Sequence, residues 1–184
     1  MQVYLETLGC RLNFSEMEAL ARELQAAGHQ VVASPAEAHV CVLNTCAVTH
    51  VAGRKSRQAT RALAAANPQA HLLVTGCYAE LERQRLALLP NVRWVVGNQE
   101  KAHIAHLLQE FSETAGAMPT TVPLSPLASE AAPFPLTRTR AFVKVQDGCN
   151  NRCTFCVVTL ARGRERSLPV AQIVEQIREL VAGG

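Results

Sequence analysis

Strand patterns and helical patterns alternate four times in residues 1–112 of this chain. The strand pattern "HVCVLNT" is apolar without a break from Val40 to Leu43, which is typical of a strand that parallel sheets bury on both faces. The helical patterns repeat apolar residues every three or four positions, as amphipathic helices do. This order predicts an α/β domain with an open, doubly wound parallel sheet that helices cover.

The ends of these elements carry local signals. The first helix, in "FSEMEALARELQAAG", has Ser15 and Glu18 at the spacing of a capping box and Gly28 as its stop. An alanine-rich helix over about 51–66 ends at Asn67 and its following proline. "AELERQRLALL" predicts one helix, and "QEKAHIAHLLQEF" predicts the last. The strands are expected in "QVYLETLG", "HVCVLNT", "HLLVTG" and "VRWVVG".

Residues 113–137 break the pattern and predict a proline-rich linker, with Pro119, Pro123, Pro126, Pro133 and Pro135 among Thr, Ser and Ala. We expect a second unit over 138–184: a strand in "RAFVKV", a cysteine loop, and a helix in "PVAQIVEQIRELVAGG". Pro169 would lie near the first turn of that helix and Gly183 at its end. One strand and one helix cannot bury their own apolar faces, so we expect a chain that is cut short.

Composition narrows the setting. The 184 residues are 48% apolar and 18% charged, enough for one full domain and a fragment. The start lacks an apolar leader and no run approaches the roughly 18 apolar residues of a membrane span, so we expect a soluble, cytoplasmic protein without a membrane partner. In a reducing compartment, its seven cysteines are expected to be metal ligands or redox groups rather than disulfides. The net charge of +3 does not by itself imply nucleic-acid binding.

Three cysteines share one local position, just beyond the end of an apolar strand: Cys10 in "ETLGC", Cys46 in "VLNTC" and Cys77 in "LVTGC". The carboxyl ends of parallel strands share one edge, where open α/β sheets bind ligands. The three thiols are therefore expected to converge on one ion or cluster. The alternative for any single one is a small buried hydrophobe, which suits Cys41 inside its strand.

Three more cysteines, Cys149, Cys153 and Cys156, lie in the loop "DGCNNRCTFC", and none follows them. A structural zinc ion takes four protein ligands, and an ordinary four-iron cluster takes four cysteines. Three thiolates at this spacing would hold three irons of a cubane and leave the fourth iron open. Chance clustering is the alternative.

These motifs carry a resemblance. The Cys-x3-Cys-x2-Cys loop with Phe155 before its last cysteine resembles the radical S-adenosylmethionine signature. "TLGCRLNFSEMEAL", "VLNTCAVTHVAGRKSRQ", "VTGCY", "RTRAFVKVQDGCNNRCTFC" and "ARGRERS" together resemble the methylthiotransferases. The wording of "NTCAVT", "RKSRQ" and "TRAFVKVQDGCN" is similar to the branch that modifies N6-threonylcarbamoyladenosine in tRNA.

The resemblance implies two [4Fe–4S] clusters. Cys149, Cys153 and Cys156 would hold the radical-generating cluster, whose open iron chelates S-adenosylmethionine, with Phe155 beside that cofactor. Cys10, Cys46 and Cys77 would hold the second cluster, and Cys41 has no role. A 5'-deoxyadenosyl radical would take hydrogen from C2 of the adenine, and the second cluster would deliver sulfur there, while another S-adenosylmethionine supplies the methyl group. The implied partners are the anticodon-loop adenosine of tRNA and an electron donor such as a flavodoxin or ferredoxin.

The chain departs from the family pattern in three places: Thr159 and Leu160 stand where proline and an aromatic are usual, and Leu168 where arginine is usual. The rest of the radical domain and an RNA-binding domain are not in the sequence. We therefore expect the 184-residue chain alone to make little 5'-deoxyadenosine and no methylthiolated tRNA.

Basic residues give separate support for RNA contact. One group faces only Asp147 and Glu165 nearby in sequence and comprises Arg138, Arg140, Lys144, Arg152, Arg162, Arg164 and Arg166. A second group, Arg54, Arg57 and Arg61 with Lys55, recurs on one helix face, for which a solvated surface is the alternative. His103 and His106 are given no role.

Three function classes follow. The first is the tRNA methylthiotransferase, whose near relatives act on isopentenyladenosine in tRNA or on a ribosomal-protein aspartate. The second is a non-catalytic iron–sulfur or zinc module. The third is a plain nucleotide-binding domain, which ranks last because no Gly-x-Gly-x-x-Gly follows the first strand.

Overall fold

The computed structural model describes residues 1–114 and 141–182. Its centre is a five-stranded sheet in the order β2-β1-β3-β4-β5, in which every neighbouring pair is parallel. The expected α/β class is confirmed. The strands are β1 (Gln2–Thr7), β2 (Gln30–Val32), β3 (Val40–Thr45), β4 (His71–Gly76) and β5 (Val92–Val96).

Helices cover both faces of this sheet. They are α1 (Arg11–Ala26), α2 (His50–Ala66), α3 (Cys77–Leu81), α4 (Arg83–Ala87) and α5 (Ile104–Thr114), with single 3-10 turns at Pro35–Glu37 and Lys101–His103. On one face α1 and α5 pack on Val3, Val42 and Leu73. On the other, α2 packs on Cys41, Leu43 and Leu72, and α3 and α4 on Val74. All six residues of β3 are buried, as its apolar run predicts.

The predicted capping box of α1 is wrong. Helix α1 begins at Arg11 with Cys10 as its N-cap residue, without a capping hydrogen bond from the Cys10 side chain. Ser15 lies inside the helix, where its hydroxyl donates to the carbonyl of Leu12 at 2.9 Å. The predicted stop at Gly28 agrees with the structure: φ is +80° there, and the amides of Gly28 and His29 donate to carbonyls of the last helical turn, which is a Schellman motif.

One other expectation needs correction, and one strand was not predicted. "AELERQRLALL" forms two short helices rather than one, because the backbone leaves helical geometry at Glu82 (φ −125°, ψ 34°). The three-residue strand β2 was not predicted, since it is too short for an alternating pattern to show. It pairs with β1 and forms one edge of the sheet.

The second unit contains two short strands, β6 (Gln146–Asp147) and β7 (Arg166–Ser167), which pair antiparallel. Helix α6 (Val158–Arg162) lies between them and α7 (Val170–Ala182) follows. The expected strand in "RAFVKV" is wrong, because residues 141–145 are not paired with any described strand. Helix α7 is confirmed, and its apolar side chains are exposed as expected, among them Val170, Val174, Ile177 and Val181.

The predicted linker, 113–137, lies outside the described residues except for Glu113 and Thr114, which belong to α5. Gly183 also lies outside them. Within the described ranges, every helix is too short or too polar to cross a membrane.

The sheet core gives a direct test of the fold. Leu73 is fully buried at the centre of the sheet, whereas Leu88 is 87% exposed. We expect Leu73→Ala to lower the free energy of unfolding by about 2–5 kcal/mol, because it removes buried methyl groups and leaves a cavity. Leu88→Ala, the matched control, should change it by less than about 0.5 kcal/mol. Urea denaturation of the iron-free chain measures both, and equal effects would contradict this architecture.

Candidate metal centre

Cys10, Cys46 and Cys77 follow three adjacent strands of the sheet, and we call them the first triad. Cys46 comes directly after β3, Cys77 directly after β4, and Cys10 three residues after the end of β1. Because β1, β3 and β4 are parallel neighbours, their carboxyl ends form one edge. The strand order thus brings the three positions together, as the common strand-end pattern predicts.

Two glycines with positive φ allow this edge to be compact. At Gly9 (φ +100°), a Cβ atom would lie 2.5 Å from Cβ of Cys46, and at Gly76 (φ +98°) it would lie 2.3 Å from the carbonyl oxygen of Thr45. No side chain fits at either place, and L residues also avoid this φ region. The two glycines therefore keep the backbones around the thiols close to each other.

Buried polar side chains hold the strand ends in place. Asn13 donates from Nδ2 to the carbonyls of Leu8 (2.7 Å) and Thr45 (3.1 Å). The Ser56 hydroxyl accepts from the amide of Cys46 at 3.2 Å and lies 3.0 Å from the carbonyl oxygen of the same residue. The turns that present Cys10 and Cys46 are thus fixed by hydrogen bonds rather than by packing alone.

The thiols of the first triad influence one another. Burial raises the pKa of Cys46, and the nearby thiols of Cys77 and Cys10 raise it further, although a backbone hydrogen bond from Val48 acts in the opposite direction. Cys41 differs, since it is fully buried inside β3 and burial, with Glu6 nearby, raises its pKa to about 12. A thiol of this kind is an inert core residue, in line with its lack of a role in the sequence pattern.

Cys149, Cys153 and Cys156, which we call the second triad, lie in a loop before α6. The backbone amide of Cys149 donates to the carbonyl of Gly163 at 3.1 Å. The Thr159 hydroxyl lies 3.2 Å from the carbonyl oxygen of Cys149 and 3.1 Å from that of Asn151, and its one hydrogen can be donated to either. Thr159, which departs from the family pattern, thus secures the loop. Phe155 is 91% exposed.

Cys10 and Cys77 of the first triad border a cleft of about 260 Å³, and Gly148 and Val157, which flank the second triad in sequence, line its other side. Its walls come from both units: Cys10, Leu12, Val48 and Cys77 from the first, and Gln146, Gly148, Val157, Val158 and Arg162 from the second. At Gly148 (φ +73°) a Cβ atom would lie 2.2 Å from the carbonyl oxygen of Arg164, so the loop wall requires glycine there.

In the described part of the chain, no three His, Cys, Asp or Glu side chains are grouped as ligands of a single metal ion. A cubane spreads its ligands over several irons, so its cysteines stand farther apart than the ligands of one ion. Thiol donors, glycine walls and an adjoining cleft fit such a cluster. They fit a tetrahedral zinc site less well, because neither triad has a fourth cysteine.

A buried charge network joins the two units. Arg162 Nη1 lies 2.8 Å from Glu16 Oε1 and 2.9 Å from Asp147 Oδ1. Lys144 Nζ lies 2.9 Å from Glu16 and 2.7 Å from Asp147. Lys101 Nζ lies 2.5 Å from Glu16. The side chains of Arg162, Glu16 and Asp147 are 4%, 9% and 8% exposed, so water screens these pairs little.

The network sets the charge states of its members. Burial alone would raise the pKa of Glu16, but the hydrogen bond from Arg162 and the charges of Lys101 and Arg162 outweigh it and hold that pKa well below its usual range. The pKa of Asp147 is also lowered, by Lys144 and Arg162 against the effect of burial. Both carboxylates are therefore ionised at neutral pH, and the interface is held by full charges.

Comparison with known proteins places this arrangement in a family. The model of the uncharacterized protein family UPF0004 matches residues 2–97, more than half of the chain. The chain belongs to the UPF0004 family. Residues 143–184 match the radical SAM superfamily. The UPF0004 match covers the sheet with the first triad, and the radical SAM match covers the loop with the second triad.

Similar proteins carry the names that the resemblance predicts. The chain is 38% identical to threonylcarbamoyladenosine tRNA methylthiotransferase MtaB of Aquifex aeolicus, over 100% of this chain and 46% of that protein. It is 34% identical to MtaB of Bacillus subtilis, over 99% of this chain and 41% of that protein. It is 31% identical to ribosomal protein uS12 methylthiotransferase RimO of Roseiflexus castenholzii, over 100% of this chain and 44% of that protein. The chain thus spans less than half the length of these relatives.

The basic surface is smaller than the sequence predicts. Arg162 and Lys144 are neutralised at the boundary of the UPF0004 domain by Glu16, an acid far away in sequence. Arg57 donates to the Tyr78 hydroxyl at 2.6 Å and is half-buried. Exposed basic side chains remain at Arg54, Lys55, Arg61, Arg152, Arg164 and Arg166, while Arg138 and Arg140 lie outside the described residues. His106 faces Glu110 at 3.7 Å on the helix surface.

Several residues that build the centre were not found from the sequence. Glu16, Asn13 and Lys101 carried no signal, because their partners lie up to 149 residues away. Asn98 could have been found as a candidate site residue from the sequence. It comes two residues after β5, just as the three cysteines of the first triad follow the ends of their strands.

The buried charge network between the two units can be tested by substitution. Arg162→Gln leaves two buried carboxylates with fewer counter-charges, so we expect a loss of about 3 kcal/mol in the free energy of unfolding. Hydrogen exchange in α6 should also accelerate. The matched control is Arg178→Gln, which breaks an exposed pair with Glu175 (3.4 Å) and should have little effect. Unchanged exchange in α6 with Arg162→Gln would contradict a docking role.

Proposed function

We propose that this chain carries both cluster sites of a radical S-adenosylmethionine methylthiotransferase that modifies C2 of N6-threonylcarbamoyladenosine in tRNA. The first triad would hold one [4Fe–4S] cluster and the second triad the other. The observation that carries the proposal is a cleft between the units, which Cys10 and Cys77 line on one side and Gly148 and Val157, the residues that flank the second triad, line on the other. A reaction that uses both sites on one substrate requires such a juxtaposition.

The first triad supports a resident cluster by its surroundings. Glycines at Gly9 and Gly76 leave room beside the thiols, and Ser56 and Asn13 hold the turns that present them. Preformed ligand positions of this kind reduce the cost of binding a metal group. When bound, the clusters and S-adenosylmethionine would supply the radical and the sulfur chemistry.

The second triad supports a more open site. Cys153 is exposed, and Cys149 and Cys156 are half-buried, so a cofactor can approach from solvent. Thr159 and Gly148 keep the loop backbone in place. Phe155 projects into solvent beside the last cysteine, and we propose that it packs against S-adenosylmethionine when the cofactor binds, since an aromatic ring left 91% exposed gains by being covered.

Exposed basic residues support an RNA substrate. Arg54, Lys55 and Arg61 are exposed on α2, which begins four residues after Cys46, and Arg152 and Arg164 are exposed near the second triad. They can neutralise phosphates of the tRNA anticodon loop. We further propose a flavodoxin or ferredoxin as the electron donor and the cytoplasm as the location.

Other members of the same enzyme class are the nearest alternatives. One similar protein, 34% identical, is the tRNA-2-methylthio-N(6)-dimethylallyladenosine synthase of Chloroherpeton thalassium, and the RimO relative acts, by its name, on ribosomal protein uS12. The exposed basic side chains favour RNA over a protein substrate. A non-catalytic iron–sulfur module is the alternative of another class.

Metal loading tests the two-site proposal. After anaerobic reconstitution, we expect the triple variant Cys10→Ala, Cys46→Ala, Cys77→Ala to bind about half the iron and sulfide of the unmodified chain. The triple variant of Cys149, Cys153 and Cys156 should do the same, because the sites load independently. Cys41→Ala is the control and should bind the full amount. The measurement is colorimetric iron and sulfide per chain. Loss of all iron in either triple variant would contradict two independent sites.

The substrate proposal needs the intact cell. We expect a strain that lacks the gene for this chain to lose the 2-methylthio group from threonylcarbamoyladenosine, measured by mass spectrometry of digested tRNA. The methylthio form of isopentenyladenosine and the uS12 aspartate serve as internal controls and should be unchanged. Loss of either control modification instead would assign the chain to that alternative, and no change in any of the three would favour the non-catalytic module.

A further inference from the structure

Asn98 contacts both units at once. It lies two residues after β5 and is 6% exposed. Its Nδ2 atom is 2.5 Å from the carbonyl oxygen of Ala161 in α6 and 3.9 Å from Sγ of Cys77. Its backbone amide donates to Glu80 Oε2 at 2.9 Å, which fixes the turn. One side-chain amide therefore joins a thiol of the first triad to a helix of the second unit.

The orientation of this amide follows from its contacts. With the amide flipped, Oδ1 would face the Ala161 carbonyl oxygen, and two acceptors would repel each other. The two hydrogens on Nδ2 suit two acceptors, the carbonyl and the sulfur. The Oδ1 atom has no hydrogen-bond partner among the described residues.

The donor suits a ligated sulfur better than a free thiol. A cluster-bound Cys77 is a thiolate, which carries negative charge and accepts hydrogen bonds more strongly than S–H does. Asn13 shows the opposite polarity: its Oδ1 accepts from the Cys10 thiol at 3.7 Å, a bond that needs the proton which ligation removes. Of these two asparagines, only Asn98 can serve the bound state.

We propose that Asn98 is a positioning residue that donates to the Cys77 sulfur and to Ala161 together, so that the reduction potential of the first cluster depends on the docking of α6. This inference rests on the proposed function. Hydrogen bonds to cluster sulfurs stabilise the more negative, reduced state and raise the potential. When α6 is docked, the Ala161 carbonyl holds the amide in place, and Arg162 keeps α6 docked through its ion pair with Glu16.

The potential of the first cluster tests the inference. The background is the triple variant in which Cys149, Cys153 and Cys156 are alanine, so that one cluster remains. We expect Asn98→Ala to lower its reduction equilibrium constant about tenfold, which is ~59 mV for a one-electron couple. The readout is a potentiometric titration with dithionite, followed by electron paramagnetic resonance of the reduced cluster. A potential equal to that of the background would overturn the inference.

Two further variants separate this role from plain structural support. Asn67→Ala is the matched control: Asn67 donates to the carbonyls of Pro35 (2.9 Å) and Ala38 (3.0 Å), so its loss should reduce stability but leave the potential unchanged. Arg162→Gln should lower the potential, and combining it with Asn98→Ala should lower it by less than the sum of the two effects, because both act through α6. Full additivity would show that the potential does not depend on docking through Asn98, and would overturn the inference.

An iron-free measurement distinguishes failure of this inference from failure of the proposed function. If the unmodified chain binds no iron, the proposed function fails, and alkylation of Cys77 in the metal-free chain still tests the bridge. We expect Asn98→Ala and Arg162→Gln each to accelerate alkylation of Cys77 at least several-fold. The alkylation rate is measured by mass spectrometry of peptides. Cys41 is the internal reference and should stay protected. Unchanged rates at Cys77 would overturn the bridge to α6.

Discussion

The ion pairs of Arg162 with Glu16 and Asp147 are the interaction on which the arrangement of this molecule depends. A guanidinium that is 4% exposed is stable only if its charge is compensated, because an unpaired buried charge costs several kcal/mol. Its partners lie 146 and 15 residues away, one in each unit. The requirement for compensation thus holds α6 against the sheet and brings the radical SAM loop to the edge that carries the first triad.

The sheet contributes the other half of the arrangement. Parallel strands end at one edge, and the order β2-β1-β3-β4-β5 makes the three cysteine-bearing strands adjacent. Positive φ at Gly9 and Gly76 lets the thiols come close, and buried asparagines close the turns. The same edge continues to Asn98, which follows β5. The candidate ligands and the side chain that contacts α6 therefore lie together for one reason, which is that the carboxyl ends of parallel strands share an edge. Structure and proposed chemistry are linked through that edge.

Much of the fold and the candidate ligands could be predicted because their signals are local. The buried run of β3 and the helical repeats gave the α/β class, and the strand-end cysteines gave the first triad. Predictions were wrong where a local sequence signal differs from what the tertiary contacts of the same segment require. Ser15 and Glu18 have the spacing of a capping box, but the helix begins five residues earlier, at Arg11, with Cys10 as its N-cap residue. "RAFVKV" has a strand composition, but residues 141–145 have no paired neighbour among the described residues.

The sequence by itself determined the α/β class, the positions of the six candidate ligand cysteines and the family, because periodicity and motif spacing are properties of neighbouring residues. Only the tertiary structure decided which charges remain free and which residues connect the two units. Arg162 and Lys144 appear as members of a basic patch in the sequence, yet they are neutralised by Glu16. Asn98 is an ordinary loop residue until folding brings Cys77 and Ala161 to its amide. The position of Asn98 after a strand is visible in the sequence, but pairings across 146 and 63 residues depend on how the chain packs, and local sequence does not specify the partners.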